Sequence, residues 1–525
     1  MRTYNTARNA AVGLATKLIN LILAFIVRTI FINTLSTEYL GVSSLFSNVL
    51  TVLNISELGI GSAIIFALYK PLAGNEKEEL KSLMRLYRNA YLVIGCIVFA
   101  AGMVISPFLP HLLKGSTDKV NIYIIYFMYL AQSVLSYWLF AYKRSILEAD
   151  QKNYIIQLLD GLANVIRYSV QITALLLLKR TPELSFYIYM AIGTVYSVAS
   201  NLMIAKKVDK LYPFLLEKYV RPLDRSERKS IIKNTYALSI SRVSATVNGS
   251  ADSIIISAFI SVTMVGLYSN YLILTGAVMG SLVIVFNSFT AGIGNLYVTE
   301  TKEKNRQIFD CLHFMYSWIY GFCAICFFVL LNPFIASVWL GKDYLLSELT
   351  VLAITADTLI SGIISAVAKY RDACGLYWQN RYRPLATVII NVALSILFVK
   401  ELNWGIPGVL FATIISKGTV TVWVDPYVVF MHVFEEKPYR YYLKYCVTIV
   451  VVVLTAIPVV YVSRLMPVNS LAAFFLRFAM CMAFPNLTWY LLFRRTEEYR
   501  YFEALAKRGI KTVQAKFHNT GSDAR

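Results

Sequence analysis

Charge is what this sequence has least of. Of its 525 residues, 15% are Asp, Glu, Lys or Arg, against about 25% in ordinary soluble proteins. So few charges cannot cover a water-facing surface on a chain of this size. Acids are scarcer still, thirty against fifty bases, for a formal net charge of +20. There are four His (111, 313, 432 and 518), too dispersed for a metal cluster. Neither a P-loop, a G-x-S-x-G nor an H-E-x-x-H occurs, so the usual enzyme signatures are missing. No polar block is long enough for an attached nucleotide-binding domain, so energy has to come from an ion gradient, the membrane potential or the ligand gradient. The seven Cys are scattered. The pair Cys323 and Cys326 lacks a flanking His or second pair, and is expected to pack as small residues inside a helix. Residues 1–10 are polar and no cleavable signal is expected.

What is abundant is apolar sequence: 57% of the residues are hydrophobic and the mean hydropathy is +0.58. That excludes a disordered basic tail protein. A spanning helix needs about 20 mostly apolar residues, and fourteen such blocks can be drawn. They run over 11–34, 40–68, 89–110, 122–142, 155–178, 184–205, 235–260, 265–298, 309–331, 345–368, 384–399, 406–431, 445–463 and 470–493. Strict alternation is absent, so an outer-membrane barrel is not expected. The second and eighth blocks are long and rich in Gly, Ser and Asn, and are expected to be tilted or broken. The reading is an all-α polytopic membrane protein with about 14 spans.

The +20 excess would fit nucleic acid, but its distribution argues otherwise. With the N-terminus cytoplasmic, thirty-seven of the fifty bases fall in segments on that side and seven on the other. This positive-inside bias predicts both termini in the cytoplasm. A lipid bilayer is the expected partner and nucleic acid is not. Six bases remain inside spans: Lys17, Arg28, Arg167, Arg242, Lys417 and Arg477.

Sliding the chain against itself by about 225 residues gives an ordered set of matches. Lys17 falls on Arg242, Gly41 on Gly266 and Ser44 on Ser269; one residue further on, Pro107-Phe108 falls on Pro333-Phe334 and Lys143 on Lys369. The shift covers an even number of spans, so the copies share one orientation. The expected organisation is an N-terminal six-helix lobe (1–205), a basic linker (206–234) and a second six-helix lobe (235–435). Two accessory helices (436–495) and a basic tail (496–525) follow.

An ionisable group in mid-bilayer costs several kcal/mol, so it faces protein or water. The repeat makes Lys17 and Arg242 candidates to face each other across one cavity. Together with Arg28, Arg167 and Lys417 they form a candidate phosphate-binding set, because guanidinium grips phosphate oxygens at two points. The competing structural reading pairs each base with a spanning acid; Asp160, seven residues from Arg167, shares its helix face. Glu57, Asp160, Asp252 and Asp357 are the candidates for ion coupling or charge pairing. Arg477 is expected in the interface or the accessory helices. No metal or cofactor is expected; coupling to Na+, H+ or the membrane potential is.

Several stretches then carry a resemblance. They are Arg28 to Phe31 with Glu38-Tyr39-Leu40-Gly41, Glu57 to Gly61, Ala149 to Tyr154, Gly266 to Tyr271, Gly375 to Trp378 and Arg381 to Pro384. In order, they are similar to bacterial Wzx-type oligosaccharide flippases of the multidrug/oligosaccharidyl-lipid/polysaccharide (MOP) exporter superfamily. The resemblance covers about residues 5–435. It implies a V of two six-helix lobes in the bacterial cytoplasmic membrane. It implies flipping of an undecaprenyl-pyrophosphate-linked oligosaccharide for capsule, O-antigen or exopolysaccharide synthesis, alongside polysaccharide-synthesis enzymes. Carried over residue by residue, it points again to Arg28, Lys17 and Arg242 for the pyrophosphate. The alternatives are an ion-coupled drug/cation antiporter of the same superfamily, whose cavity would be more acidic, and a membrane-embedded polysaccharide polymerase. A polymerase typically needs a large outer loop, which is missing here.

Overall fold

The computed structural model describes residues 2–54, 60–114, 121–217, 243–244, 246–376, 378–501 and 503–504. Those residues are nearly all helical, and no strand occurs among them.

Helix starts follow local chemistry. Asn121 accepts from the backbone N–H groups of Tyr123 and Ile124, and Ser347 accepts from that of Thr350. Such caps satisfy the donors that a helix start leaves open. Gly341 ends a long helix with φ at +103°, a conformation that favours glycine.

The described residues form two compact units. The first comprises Met1–Asn270 with Ile396–Val409; the second comprises Tyr271–Ser395 with Leu410–Arg525. Residues 246–270 therefore pack with the N-terminal unit, although the internal repeat counts them with the second copy.

In the first unit the helices are α1 (Arg2–Thr34), α2 (Thr37–Leu53), α3 (Ile60–Ala73), α4 (Lys77–Ile105) and α5 (Ile122–Trp138). They are followed by α6 (Arg144–Ala149), α7 (Asn153–Leu177), α8 (Pro182–Leu211) and α9 (Thr246–Ile260). The helix α10 (Val262–Thr299) begins here and continues into the second unit. α1 and α7 lie alongside: a Cβ on Gly13 would meet the Gln157 side chain, and one on Gly161 would meet Thr16. The partner number rises with the residue number, so the two helices run in the same direction.

The second unit holds α11 (Lys302–Phe334), α12 (Glu348–Ala373), α13 (Arg383–Ile396), α14 (Gly405–Ser416), α15 (Val422–Val429), α16 (Tyr439–Arg464) and α17 (Leu471–Phe493), with Ile396 of α13 and the first five residues of α14 in the first unit. Lys417–Thr421 forms a wide π turn between α14 and α15. The accessory helices α16 and α17 belong to this unit's core. Val452 would meet a Cβ on Gly321, and Trp318 stacks on Trp489 at 6.4 Å. Arg477 is buried among them and donates to Ser463 Oγ and to the carbonyls of Ser463, Met466 and Pro467.

Among the described residues, ten helices are long and apolar enough to cross a membrane. The count becomes eleven if α5 and the bent segment Ala141–Ala149, 49° apart, form one span. The remaining expected blocks fall on α2 and α3, on the short α9, and on α7. In α7, Asp160, Asn164, Arg167 and Gln171 form a polar stripe at helical spacing that lowers the hydropathy. The chain is thus an all-α polytopic membrane protein, while length and apolarity alone do not return the expected fourteen.

Candidate functional site

The polar stripe of α7 faces α8, where Gln171 donates to the carbonyl of Tyr189 at 3.0 Å. Asp160 anchors its lower end. The sequence reading offered Asp160 to Arg167, but the structure gives it to Arg144. The Arg144 Nη1 and Nη2 donate to the two Asp160 oxygens at 2.7 and 3.1 Å, and Ser200 adds a third bond at 2.5 Å. Arg144 Nε also donates to Asn201 Oδ1 at 3.1 Å. The reason is geometric. Seven residues put Arg167 on the same face but about 10 Å along the axis from Asp160. Arg144 enters from the bent segment that leaves α5 and reaches the carboxylate directly. Counted as a loop base in the sequence, it is part of the helical bundle.

Released from Asp160, Arg167 lies over two aromatic rings. Its guanidinium carbon is 4.3 Å from the centre of Tyr168 and 4.8 Å from that of Tyr196. Its buried Nε has no hydrogen-bond partner among the described residues. Cation–π contacts supply about 0.5–2 kcal/mol each, but they leave the charge uncompensated.

Arg28 is held by neutral groups. Its Nε donates to Asn270 Oδ1 at 3.0 Å, and its Nη2 donates to Ser269 Oγ. This explains Ser269-Asn270 within the Gly266 to Tyr271 stretch. Asn270 is fully buried, and its amide nitrogen has no further partner among the described residues. Tyr129 and Tyr189 lie within electrostatic reach of Arg28, and Tyr189 also lies within electrostatic reach of Arg167. One tyrosine therefore lies within electrostatic reach of both arginines. The phenyl ring of Phe31 meets the Tyr189 ring edge-on at 5.1 Å. Among the described residues, neither Arg28 nor Arg167 has a carboxylate partner.

Lys17 is half-buried on α1, beside the Thr16 that packs onto Gly161. It sits eleven residues, or about 16 Å, below Arg28 on the same helix. Asp252 is half-buried on α9. Arg242 and Glu57 lie outside the described residues, so their expected places are not seen.

In the second unit Lys417 and Asp425 are each held in ion pairs. Lys417 Nζ is 2.5 Å from Asp357 Oδ1 and donates to Ser361 Oγ at 2.9 Å. Asp425, 1% exposed, forms ion pairs with Arg371 and Arg383, each at 3.0 Å, and accepts from Asn380 at 2.6 Å. Residues Thr387, Asn391 and Ser395 on α13 form a buried, uncharged polar stripe, bonded among themselves and to Thr413 and Thr421. Under a shift of 227 residues, Thr387 stands where Asp160 stands and Asn391 where Asn164 stands.

Sequence reasoning missed Arg144, Arg371, Tyr189 and Tyr196. The first two carried a readable signal: Arg144 and Arg371 coincide under that same shift, next to the matched pair Lys143 and Lys369. The tyrosines carried none, being two of thirty-six.

No family model matches the chain, and no curated protein matches it in sequence. Solved structures do. The lipid II flippase MurJ in an inward closed conformation aligns over 93% of this chain and 98% of its own, with a TM-score of 0.62 and 15% identity. An inward-facing multidrug resistance MATE family transporter of the MOP superfamily aligns over 80% and 98%, with 0.59 and 14%. A MOP superfamily transporter from Pyrococcus furiosus aligns over 83% and 97%, with 0.54 and 13%. At these identities the likeness is one of fold: the chain has the fold of the MOP transporters.

Proposed function

We propose that this protein is a transporter that flips an undecaprenyl-pyrophosphate-linked oligosaccharide across the bacterial cytoplasmic membrane by alternating access, with both termini in the cytoplasm. The observation that carries the reading is that Arg28 and Arg167, both within electrostatic reach of Tyr189 in the first unit, have no carboxylate partner among the described residues. Two forked cations without a counter-charge suit a diphosphate, whose oxygens take charge-assisted bonds at two points. Lys17, lower on α1, extends the same basic track, and Arg242 is proposed as its counterpart. Lys417 is a weaker member of the set, since Asp357 already neutralises it.

The drug/cation antiporter reading draws on the MATE neighbours. It needs open carboxylates, yet Asp160 and Asp357 are both held by bases. Glu57, outside the described residues, and Asp252 are proposed only as candidates for coupling to Na+ or H+.

The deciding experiment uses the purified chain in proteoliposomes. A fluorescent undecaprenyl-pyrophosphate oligosaccharide should become accessible on the opposite leaflet at a rate that falls when Arg28 is replaced. Movement of a lipophilic cation with no movement of the lipid-linked sugar would reject the flippase reading. Imposed Na+, H+ or potential gradients then identify the coupling.

A further inference from the structure

A second basic site lies away from the Arg28 and Arg167 pair, at the polar start of α4. The segment Lys77–Arg88 holds four bases, and residues 92–105 hold no charge. Lys81, Arg85, Arg88, Asn89 and Leu92 recur at spacings of three, four and one, which puts them on one helix stripe. That stripe lines a cavity of about 610 Å³ in the first unit. Lys143 and Tyr142, from the bend after α5, form its far wall.

The charges of this cavity are not balanced. Lys81, 4% exposed, lies 2.5 Å from Glu78 and 2.8 Å from Glu217. Lys143, 8% exposed, lies 2.5 Å from Asp209. These lysines are fixed and neutralised. Arg85 and Arg88 are exposed, and neither has a carboxylate partner among the described residues. Arg88 is within electrostatic reach of the Tyr142 hydroxyl. Leu92, Phe140, Leu215 and Leu216 supply the apolar part of its lining.

We propose that this cavity binds the phosphate headgroup of an anionic phospholipid. Arg85 and Arg88 hold the phosphate with the Tyr142 hydroxyl beside it, and the acyl chain lies along Leu92 and Phe140. A free phosphate would use only the basic lining; a phospholipid uses the apolar lining as well, and the cavity falls in the range of about 300–1,000 Å³ that small-molecule sites occupy. The site does not depend on which substrate the transporter carries.

Native mass spectrometry of the full chain tests it, with phosphatidylglycerol titrated against phosphatidylcholine and inorganic phosphate as competitor. The first phosphatidylglycerol should bind about tenfold more tightly than phosphatidylcholine, the equivalent of about 1.4 kcal/mol. Arg85→Gln with Arg88→Gln should abolish that preference. Tyr142→Phe, which keeps the ring, should weaken it by a few fold. The exposed pair Lys437→Gln with Arg440→Gln in the second unit should leave it unchanged. Equal loss in both double variants would reduce the effect to general surface charge and overturn the proposal. An unchanged preference in the Arg85 and Arg88 variant would do the same. Displacement of the lipid by millimolar phosphate would reassign the site to a soluble anion.

Discussion

Gly41 and Gly266 meet backbone to backbone. A Cβ on Gly41 would run into the carbonyl oxygen of Val262, and a Cβ on Gly266 into that of Thr37. The two glycines are also matched positions of the internal repeat. Equivalent points of α2 and α10 thus pack on each other within the first unit, which brings Ser269 and Asn270 to Arg28.

Either Gly41→Ala or Gly266→Ala should therefore destabilise the protein by about 1–3 kcal/mol, the usual cost of forcing atoms into a filled contact. Thermal unfolding in detergent checks this. Gly276→Ala, further along α10 with nothing near its Cβ position, should be neutral or stabilising by up to about 1 kcal/mol.

Arg28→Ala should abolish flipping while the protein still reaches the membrane. Arg28→Lys keeps the charge and loses the two-point grip, so flipping should fall by about tenfold. Initial rates in proteoliposomes, normalised to the amount reconstituted, give the comparison. Wild-type rates for both variants would remove Arg28 from the site.

Asp425→Asn should be the most damaging of the charge substitutions in the second unit. It leaves Arg371 and Arg383 without their shared buried counter-charge, at a cost of about 3–5 kcal/mol. The expected outcome is poor yield and a large fall in unfolding temperature, with no need to invoke transport.

Asp160→Asn should cost less, because the Arg144 and Asp160 side chains are 27% and 28% exposed. A loss of about 1–2 kcal/mol is expected after allowing for screening. The pair Arg144→Met with Asp160→Leu should recover most of it, and a double-mutant cycle gives the coupling. Failure to recover stability, together with lost transport, would assign Asp160 a role in ion coupling.

Lys417→Met with Asp357→Leu tests whether that pair is packing or function. If it is packing, flipping persists within a few fold and keeps its gradient dependence. If Asp357 binds the coupling ion, Asp357→Asn alone uncouples flipping from the gradient, read as an initial rate that no longer responds to it.

The sequence alone determined the solvent. So low a charge density over so many apolar residues has no stable arrangement in water, and the helical architecture follows because lipid leaves backbone groups no partner but the helix. The repeat was legible because matched positions keep their order along the chain, and Gly41 with Gly266 shows that a match can mark a packing contact. The presence of bases inside spans was legible too. Which charges remain open was decided only by the tertiary structure. Asp160 sits nearer to Arg167 in sequence than to Arg144, yet the bend after α5 brings Arg144 to it and leaves Arg167 on two tyrosine rings. Lys417 belonged with Arg28 to one candidate set in the sequence, yet Asp357 lies 2.5 Å from it. Ion pairing depends on distances of a few ångströms between helices far apart in the chain, and no spacing along one helix records them.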